Sequence, residues 1–430
     1  MAAAYRTLDT RLMQRLGHIR QVPPAHLVYP GATHTRFSHS IGVYHLVRLA
    51  LQHLTAVAAI DPEAVRATLA AGMLHDLGHF PYSHLMEEIT FNGTRLHHGE
   101  LSVSLIEGDA ELQQVLSDDW GVDVALVTGL LSGRTDPRLP LFLHSLVDSH
   151  MDMDKLDYLN RDAHHAGVPY GRVEVQRLIA SLRVDPDSGH LVMTEDGVGT
   201  VESVVFAKYL MFRYVYWHHA ARIASAMFNR AVADSLRALG FARLSVQEPR
   251  LRRLCLATDA TLEVCLRELL QEAGVHPPPS LELLGRTEQR RLYKRAVTIP
   301  CSSLPELDLQ LRDSDRKRDY EAAIARRVSA ALGEGAPPLR DFDVLIDIPP
   351  TAKFEVDFAG VILSNGGAIV PWGKAPQPSY LSHEAVGAIE TSLRFVQVVY
   401  NADRPDADRI RDVLRSMPDL LESAVPVTQA

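Results

Sequence analysis

Apolar residues at helical spacing dominate the first 240 residues, and no other feature constrains the fold as tightly. From Ser40 to Ala59 the apolar positions Ile41, Tyr44, Val47, Leu51 and Leu54 recur every three or four residues. Asp61-Pro62-Glu63 opens a second helix, with Asp as N-cap and Pro in the first turn, where its missing N–H is not needed. That helix is predicted to end near Gly78. A third is predicted over about 149–165, stopping before Gly167 and Pro169, and a long one over about 201–239. The strand signal in this half is LRVDPDSGHLVM at 182–193, two short apolar runs around a turn. A chain patterned this way packs helix on helix.

After Gly240 the pattern changes. Residues 245–333 read as helical, with basic clusters (Arg250, Arg252, Arg253, Arg286, Arg290, Arg291, Lys294, Arg295) and an interruption at Pro277-Pro278-Pro279. Residues 333–338 read as a linker. Strand-like runs follow at 344–348, 361–363 and 395–400, then a last helix over about 406–417. The predicted fold is mainly α: a helical core over 1–240, a helical extension over 241–335 and a small α+β region over 336–430.

Composition separates the two halves chemically. Of 20 histidines, 18 lie in residues 1–219, while Cys255, Cys265 and Cys301 all follow. Residues 1–219 carry net charge −8, and the whole chain −9. Histidine and aspartate without cysteine point to nitrogen and oxygen ligation of a metal, not to a thiolate zinc site. Three cysteines without paired spacing give no disulfide framework, so a reducing, cytoplasmic setting is expected. The acidic balance argues against broad nucleic-acid or anionic-membrane affinity. No apolar stretch approaches the ~20 residues of a spanning helix. The start, MAAAYRTLDT, lacks a cationic lead and apolar run, so no secretion signal is expected.

Four segments carry candidate chemistry. In AAGMLHDLGHFPYSH, the adjacent His75 and Asp76 project about 100° apart at a helix end, close enough to hold one divalent ion. His79 follows by four residues and His84 by nine. In YPGATHTRFSHSIG, His39 opens an apolar helix and Arg36 can aim its planar fork at phosphate oxygens. In SHMDMDKLDYLNRDAHHAG, a helical wheel gathers Asp154, Lys155, Tyr158, Arg161, Asp162 and His165 on one face, opposite Met153, Leu156, Leu159 and Ala163. Both a solvated amphipathic helix and a cleft wall fit that pattern. In RLHHGELS, His97 and His98 precede a helix N-terminus, which favours the neutral imidazole. Taken together, these segments supply ligands for a divalent ion (Mn, Fe, Mg, Co or Zn), with Arg36, Lys155 and Lys208 as cations for an anionic substrate. Metal-assisted hydrolysis of a phosphate ester or anhydride is the expected chemistry.

The order His39 … His75-Asp76 … Asp154 resembles the metal signature of the HD-domain phosphohydrolases. QVPPAHLVYPGATHTRFSHSIG, LHDLGHFPYSH and DMDKLDYLNRDAHHAG resemble the deoxynucleoside triphosphate triphosphohydrolase branch of that family, over most of residues 5–235. The resemblance implies that His39, His75, Asp76 and Asp154 bind the metal. It implies hydrolysis at the α-phosphorus to deoxynucleoside and tripolyphosphate, with His98, His79 and His84 catalytic. Arg36, Lys155 and Lys208 would bind phosphate, and Gln21, Tyr158, Asp162 and Tyr216 would surround the sugar. It also implies a homo-oligomer, dimer or tetramer, and a possible nucleotide effector.

The chain departs from the family pattern at four positions. Lys208 stands where an Arg is usual, His219 where a Lys is usual, and Gly99 where a Glu commonly follows the catalytic His. Gly17 replaces the Arg of the guanine-reading pattern that begins with Asp9 and Gln14. Two other functions fit the sequence: an HD phosphohydrolase acting on nucleoside monophosphates or alarmones, and a nucleotide-sensing or nucleic-acid-binding scaffold.

Overall fold

The computed structural model describes residues 2–56, 58–149, 151–351, 360–362, 367–370, 383–417 and 420–421. The chain is mainly α with a small α+β region. The first helix, read over 40–59, runs Arg36–Leu54 instead, and it buries Val43, Val47, Leu51 and Leu54. It packs on Pro62–Leu74, whose N-cap Asp61 accepts the Glu63 N–H as the sequence predicts. Gly72 makes the contact close: a Cβ there would lie 2.8 Å from Val47.

Three other predicted boundaries differ. The second helix ends at Leu74, not near Gly78, so His75 sits at its C-cap and Asp76 in the following turn. Gly78 lets the following turn lie close to its neighbour. A Cβ there would lie 2.3 Å from the Ser102 nitrogen and 2.5 Å from the His98 carbonyl, so the chain turns to abut the His98–Gly108 helix. The third helix is Met153–Ala166, because the Asp152 side chain caps it by accepting the Lys155 N–H. The predicted long helix is two, Val198–Met211 and His219–Ala238, parted by a widened turn at Phe212–Tyr216. There the Trp217 N–H reaches back five residues to the Phe212 carbonyl, and His218 caps the new helix at Ala220.

The predicted hairpin is present, with Leu182–Val184 antiparallel to Leu191–Thr194. Val361–Ile362 adds to it in parallel, and Ile369–Val370 completes a four-stranded sheet. Residue 363 of the predicted run lies outside the described residues. A second sheet has Phe395–Tyr400 at its centre, between Val344–Asp347 and Lys294–Pro300. The last strand falls in a stretch read as helical. Its partner lies about a hundred residues away, so local pattern did not reveal the pairing. The sheet alternates as a two-faced layer should. Leu345 and Val399 join the helical core, whereas Val344, Ile346, Val396 and Val398 pack with Tyr320 and Ile324 of the Ser314–Leu332 helix. The last helix is Ala407–Ser416. Among the described residues, no helix is long and apolar enough to cross a membrane.

A buried ion pair network ties the second sheet to the helical core. Arg222 donates to both oxygens of Glu88 and both of Asp347. Much of the basic run after residue 245 is likewise paired within the chain: Arg253 with Glu268 and Glu272, Arg286 and Arg291 with Asp403.

Candidate active site

Helix ends and turns bring the four expected metal ligands together. His39 comes from the first turn of Arg36–Leu54, His75 and Asp76 from the end of Pro62–Leu74, and Asp154 from the first turn of Met153–Ala166. His39 Nε2, His75 Nε2 and one Asp154 oxygen lie within 4.8 Å of one another. Asp76 Oδ1 is 3.4 Å from His75 Nε2, and Asp76 Oδ2 is 3.6 Å from His39 Nε2.

The orientation of these imidazoles carries more information than their proximity. His39 Nδ1 donates to Asp157 Oδ2 at 2.8 Å, and His75 Nδ1 donates to the Gly72 carbonyl at 3.0 Å. Each bond places a proton on Nδ1, so Nε2 is the nitrogen that faces the ion site, as in metal sites where a second partner orients each ligand. Both Nε2 atoms are buried without a hydrogen-bond partner. His39 Nε2 approaches Asp154 Oδ1 to 2.9 Å, but not in a hydrogen-bonding direction. The two rings stand nearly perpendicular (76°), so a shared point in both ring planes is available. Two unpartnered Nε2 atoms and two carboxylates facing one point fit a divalent ion.

Asp157 is itself held by Arg161, which donates to both its oxygens. Gly42 makes room for this pair: a Cβ there would lie 1.9 Å from Asp157 Oδ1 and 2.2 Å from Arg161 Nη2. Arg36 is buried, and three of its five N–H groups are used within the chain. It donates to Asp76 Oδ2 (2.7 Å), Ser83 Oγ (3.1 Å) and the Gln21 carbonyl (3.2 Å). Burial alone would raise the Asp76 pKa, but Arg36 and the neighbouring histidines outweigh it and hold the carboxyl ionised, well below the usual carboxylate range.

A second cluster adjoins the first: His79 Nε2 lies 3.7 Å from Asp76 Oδ1. His79, His84 and His98 bring one ring nitrogen each within 4.8 Å. The rings of His79 and His98 are stacked 4.1 Å apart at 13°, so no nearby point lies in both ring planes. That geometry suits contact with a phosphate or transfer of a proton better than joint ligation of one ion. Glu87 supports the cluster, accepting from His84 Nδ1 and His98 Nδ1, both at 2.7 Å, and from the His98 N–H. The usual Glu after His98 is Gly99 here, yet His98 is supported by Glu87 from another helix. Burial works against charge on His98, but Glu87 outweighs it and raises the imidazole pKa. His79 is driven the other way by burial and by the Arg36 charge, so it stays neutral. Ser102 braces the turn between them, accepting the Gly78 N–H and donating to the His75 carbonyl.

The remaining expected residues line the same region from the Met153–Ala166 side. Lys155 Nζ bonds Asp152 at 2.8 Å and lies 4.0 Å from Asp154. Lys208 is buried, and burial with the nearby Lys155 charge lowers its pKa to about 8. Asp162 accepts from the Tyr216 hydroxyl at 2.7 Å. Tyr158 stands edge-on to Tyr216, with centroids 6.4 Å apart. Burial, then the Asp162 charge, pushes the Tyr216 hydroxyl up, so it remains a neutral donor. Gln21 is buried with Oε1 unpartnered. Sequence reasoning missed Asp157 and Glu87. Each stands at helical spacing, three residues after Asp154 and His84 respectively, which is the signal that would have found them.

Known proteins resemble this chain in sequence and fold. The HD domain family profile matches residues 36–134, and the HD associated region profile matches 173–369. YwfO of Bacillus subtilis is 35% identical over 227 residues, 52% of this chain and 50% of that protein. Deoxynucleoside triphosphate triphosphohydrolase SAMHD1 of Gallus gallus is 26% identical over 328 residues, 67% of this chain and 52% of that protein. The chain thus spans about half the length of these two relatives. The crystal structure of a phosphohydrolase from Bacteroides thetaiotaomicron shares the fold, with TM-score 0.65 and 24% identity over 92% of this chain and 95% of that one. The chain is an HD-domain protein, its HD domain followed by the HD-associated region.

Proposed function

We propose that the protein is a metal-dependent deoxynucleoside triphosphate triphosphohydrolase, which uses water to cleave at the α-phosphorus and yields deoxynucleoside and tripolyphosphate. The observation that carries this reading is the pair of oriented imidazoles. His39 and His75 aim their Nε2 atoms toward Asp76 and Asp154, with a separate histidine cluster 3.7 Å from the Asp76 carboxylate. The relatives of this activity, at modest identity, and the tyrosine–aspartate wall beside the site support a nucleotide substrate.

His39, His75, Asp76 and Asp154 would hold the ion. A divalent ion there supplies Lewis acidity and positive charge for phosphoryl oxygens. The chain's own residues do the rest. Arg36, Lys155 and Lys208 add positive charge for the polyphosphate, and Arg36 also holds Asp76 in place and keeps it ionised. His98, whose pKa Glu87 raises, donates a hydrogen bond or a proton to the departing 5′-oxygen. Neutral His79, stacked on it, and His84 accept hydrogen bonds from water or contact phosphate. Tyr216 and Tyr158 pack beside the sugar, and Asp162 accepts from its hydroxyl. The ion's identity, the homo-oligomeric state and regulation by a nucleotide effector are parts of the same proposal.

A product-resolved screen tests it: the four dNTPs and four NTPs, each with Mg, Mn, Co and Fe, with Asp76→Ala as control. Tripolyphosphate from dNTPs, absent in the control, is the expected result. Orthophosphate from monophosphates, or pyrophosphate from alarmones, would support the other HD chemistries. Salt-sensitive binding to single strands without hydrolysis in any metal would support a scaffold.

A further inference from the structure

One buried histidine outside the two clusters has a specific geometry. Residues 19–21 run antiparallel to 34–36: Arg20 bridges Thr35, the Gln21 N–H bonds the His34 carbonyl, and the Arg36 N–H bonds the Ile19 carbonyl. This pairing sets His34 beside Gln21. The loop before it presses on the Met153–Ala166 helix, where a Cβ on Gly31 would lie 2.5 Å from the His165 carbonyl. The His34 ring stacks on His165, 4.3 Å apart at 12°. His34 Nε2 donates to Asp162 Oδ1 at 2.7 Å, and both side chains are 1% exposed.

Asp162 is therefore gripped from two sides, by His34 on Oδ1 and by Tyr216 on Oδ2. A carboxylate has about four acceptor positions, so two remain for a ligand donor. A buried carboxylate held by two donors cannot swing, and its free lone pairs point in set directions. A hydroxyl is the ligand group that such an acceptor selects, because an analogue lacking it leaves the buried carboxylate short of a donor.

We propose that His34 is the positioning residue for hydroxyl recognition: by holding Asp162 Oδ1 it fixes the acceptor that reads the 3′-hydroxyl of the nucleotide sugar. This rests on the nucleotide reading of the site. It gives a role to a histidine that neither ligates the ion site nor joins the second cluster.

The test compares dNTP, the matching 2′,3′-dideoxynucleoside triphosphate and the sugarless diester bis(p-nitrophenyl) phosphate, in wild type, His34→Ala and His34→Gln. Wild type should prefer the dNTP over the dideoxy analogue roughly tenfold to hundredfold in kcat/KM, the scale of one hydrogen bond to a charged acceptor. His34→Ala should lose most of that preference through a higher KM for the dNTP. The dideoxy and sugarless substrates should change by less than about twofold. His34→Gln, which keeps a donor at a similar reach, should restore much of the preference. A parallel fall on all three substrates, or a preference that survives in His34→Ala, overturns the proposal alone. A wild type indifferent to the 3′-hydroxyl overturns the nucleotide reading and the proposal with it.

Discussion

Gly42→Ala places one methyl group on the middle of a helix, yet it should act on metal affinity. The new Cβ would sit 1.9 Å from Asp157 Oδ1, 2.5 Å from Asp157 Cγ and 2.2 Å from Arg161 Nη2, against an ordinary contact of 3.4–4 Å. The carboxylate must retreat by about 1.5 Å, and the 2.8 Å bond to His39 Nδ1 cannot survive that movement. His39 then loses the partner that fixes its tautomer and ring orientation. Loss of such a supporting partner costs roughly 10–100-fold in metal affinity. Replacing Gly by Ala in a helix interior gains about 1 kcal/mol. Against that, overpacking the mostly buried Asp157–Arg161 pair costs about 1–3 kcal/mol, so a modest net loss of stability should accompany the loss of affinity. Titration calorimetry with Mn, alongside thermal unfolding, checks both halves. Wild-type Mn affinity in a folded Gly42→Ala protein would refute the argument that Asp157 orients His39.

Three further outcomes follow from the same geometry. Gly78→Ala sets a methyl group against two backbone atoms that cannot rotate away, so it should lose about 1–3 kcal/mol of stability and most activity; denaturant unfolding measures the first. Lys208, with its pKa lowered to about 8, is charged below that pH and neutral above it, so kcat/KM for a triphosphate should decline above about pH 8. Lys208→Arg, whose charge persists, should flatten that limb, and an unchanged profile would count against the assignment. Glu87→Gln removes the negative charge that outweighs burial at His98, so the His98 pKa should move down. If protonated His98 is the acid, the alkaline limb of the kcat profile then shifts to lower pH; an unshifted limb removes His98 from that role.

Much of this site was legible because HD-domain chemistry is written in short local words. His75-Asp76 with His79, and Asp154 with Lys155, Tyr158 and Asp162, keep their spacing whatever the rest of the chain does. The helices came from periodicity in the same way, as Asp61-Pro62-Glu63 did at its cap. What stayed hidden depends on distant segments. Glu87 supports His98 across 11 residues, Asp157 supports His39 across 118, and His34 meets Asp162 across 128. The Lys294–Pro300 strand needs Phe395–Tyr400, and the break at Phe212–Tyr216 brings Tyr216 to Asp162. Gly42 and Gly78 carry no pattern of their own; only the backbone approach explains them. The departure at Gly99 likewise says nothing of the support His98 receives, which comes from Glu87 on another helix.

The central claim is attack by water at the α-phosphorus, and isotope transfer tests it most directly. Hydrolysis of a dNTP in ¹⁸O-labelled water, followed by mass spectrometry of both products, locates the cleaved bond. The account predicts one ¹⁸O atom in tripolyphosphate and none in the deoxynucleoside, with Asp76→Ala inactive. Label in released orthophosphate or pyrophosphate, with a nucleotide as the other product, would contradict it.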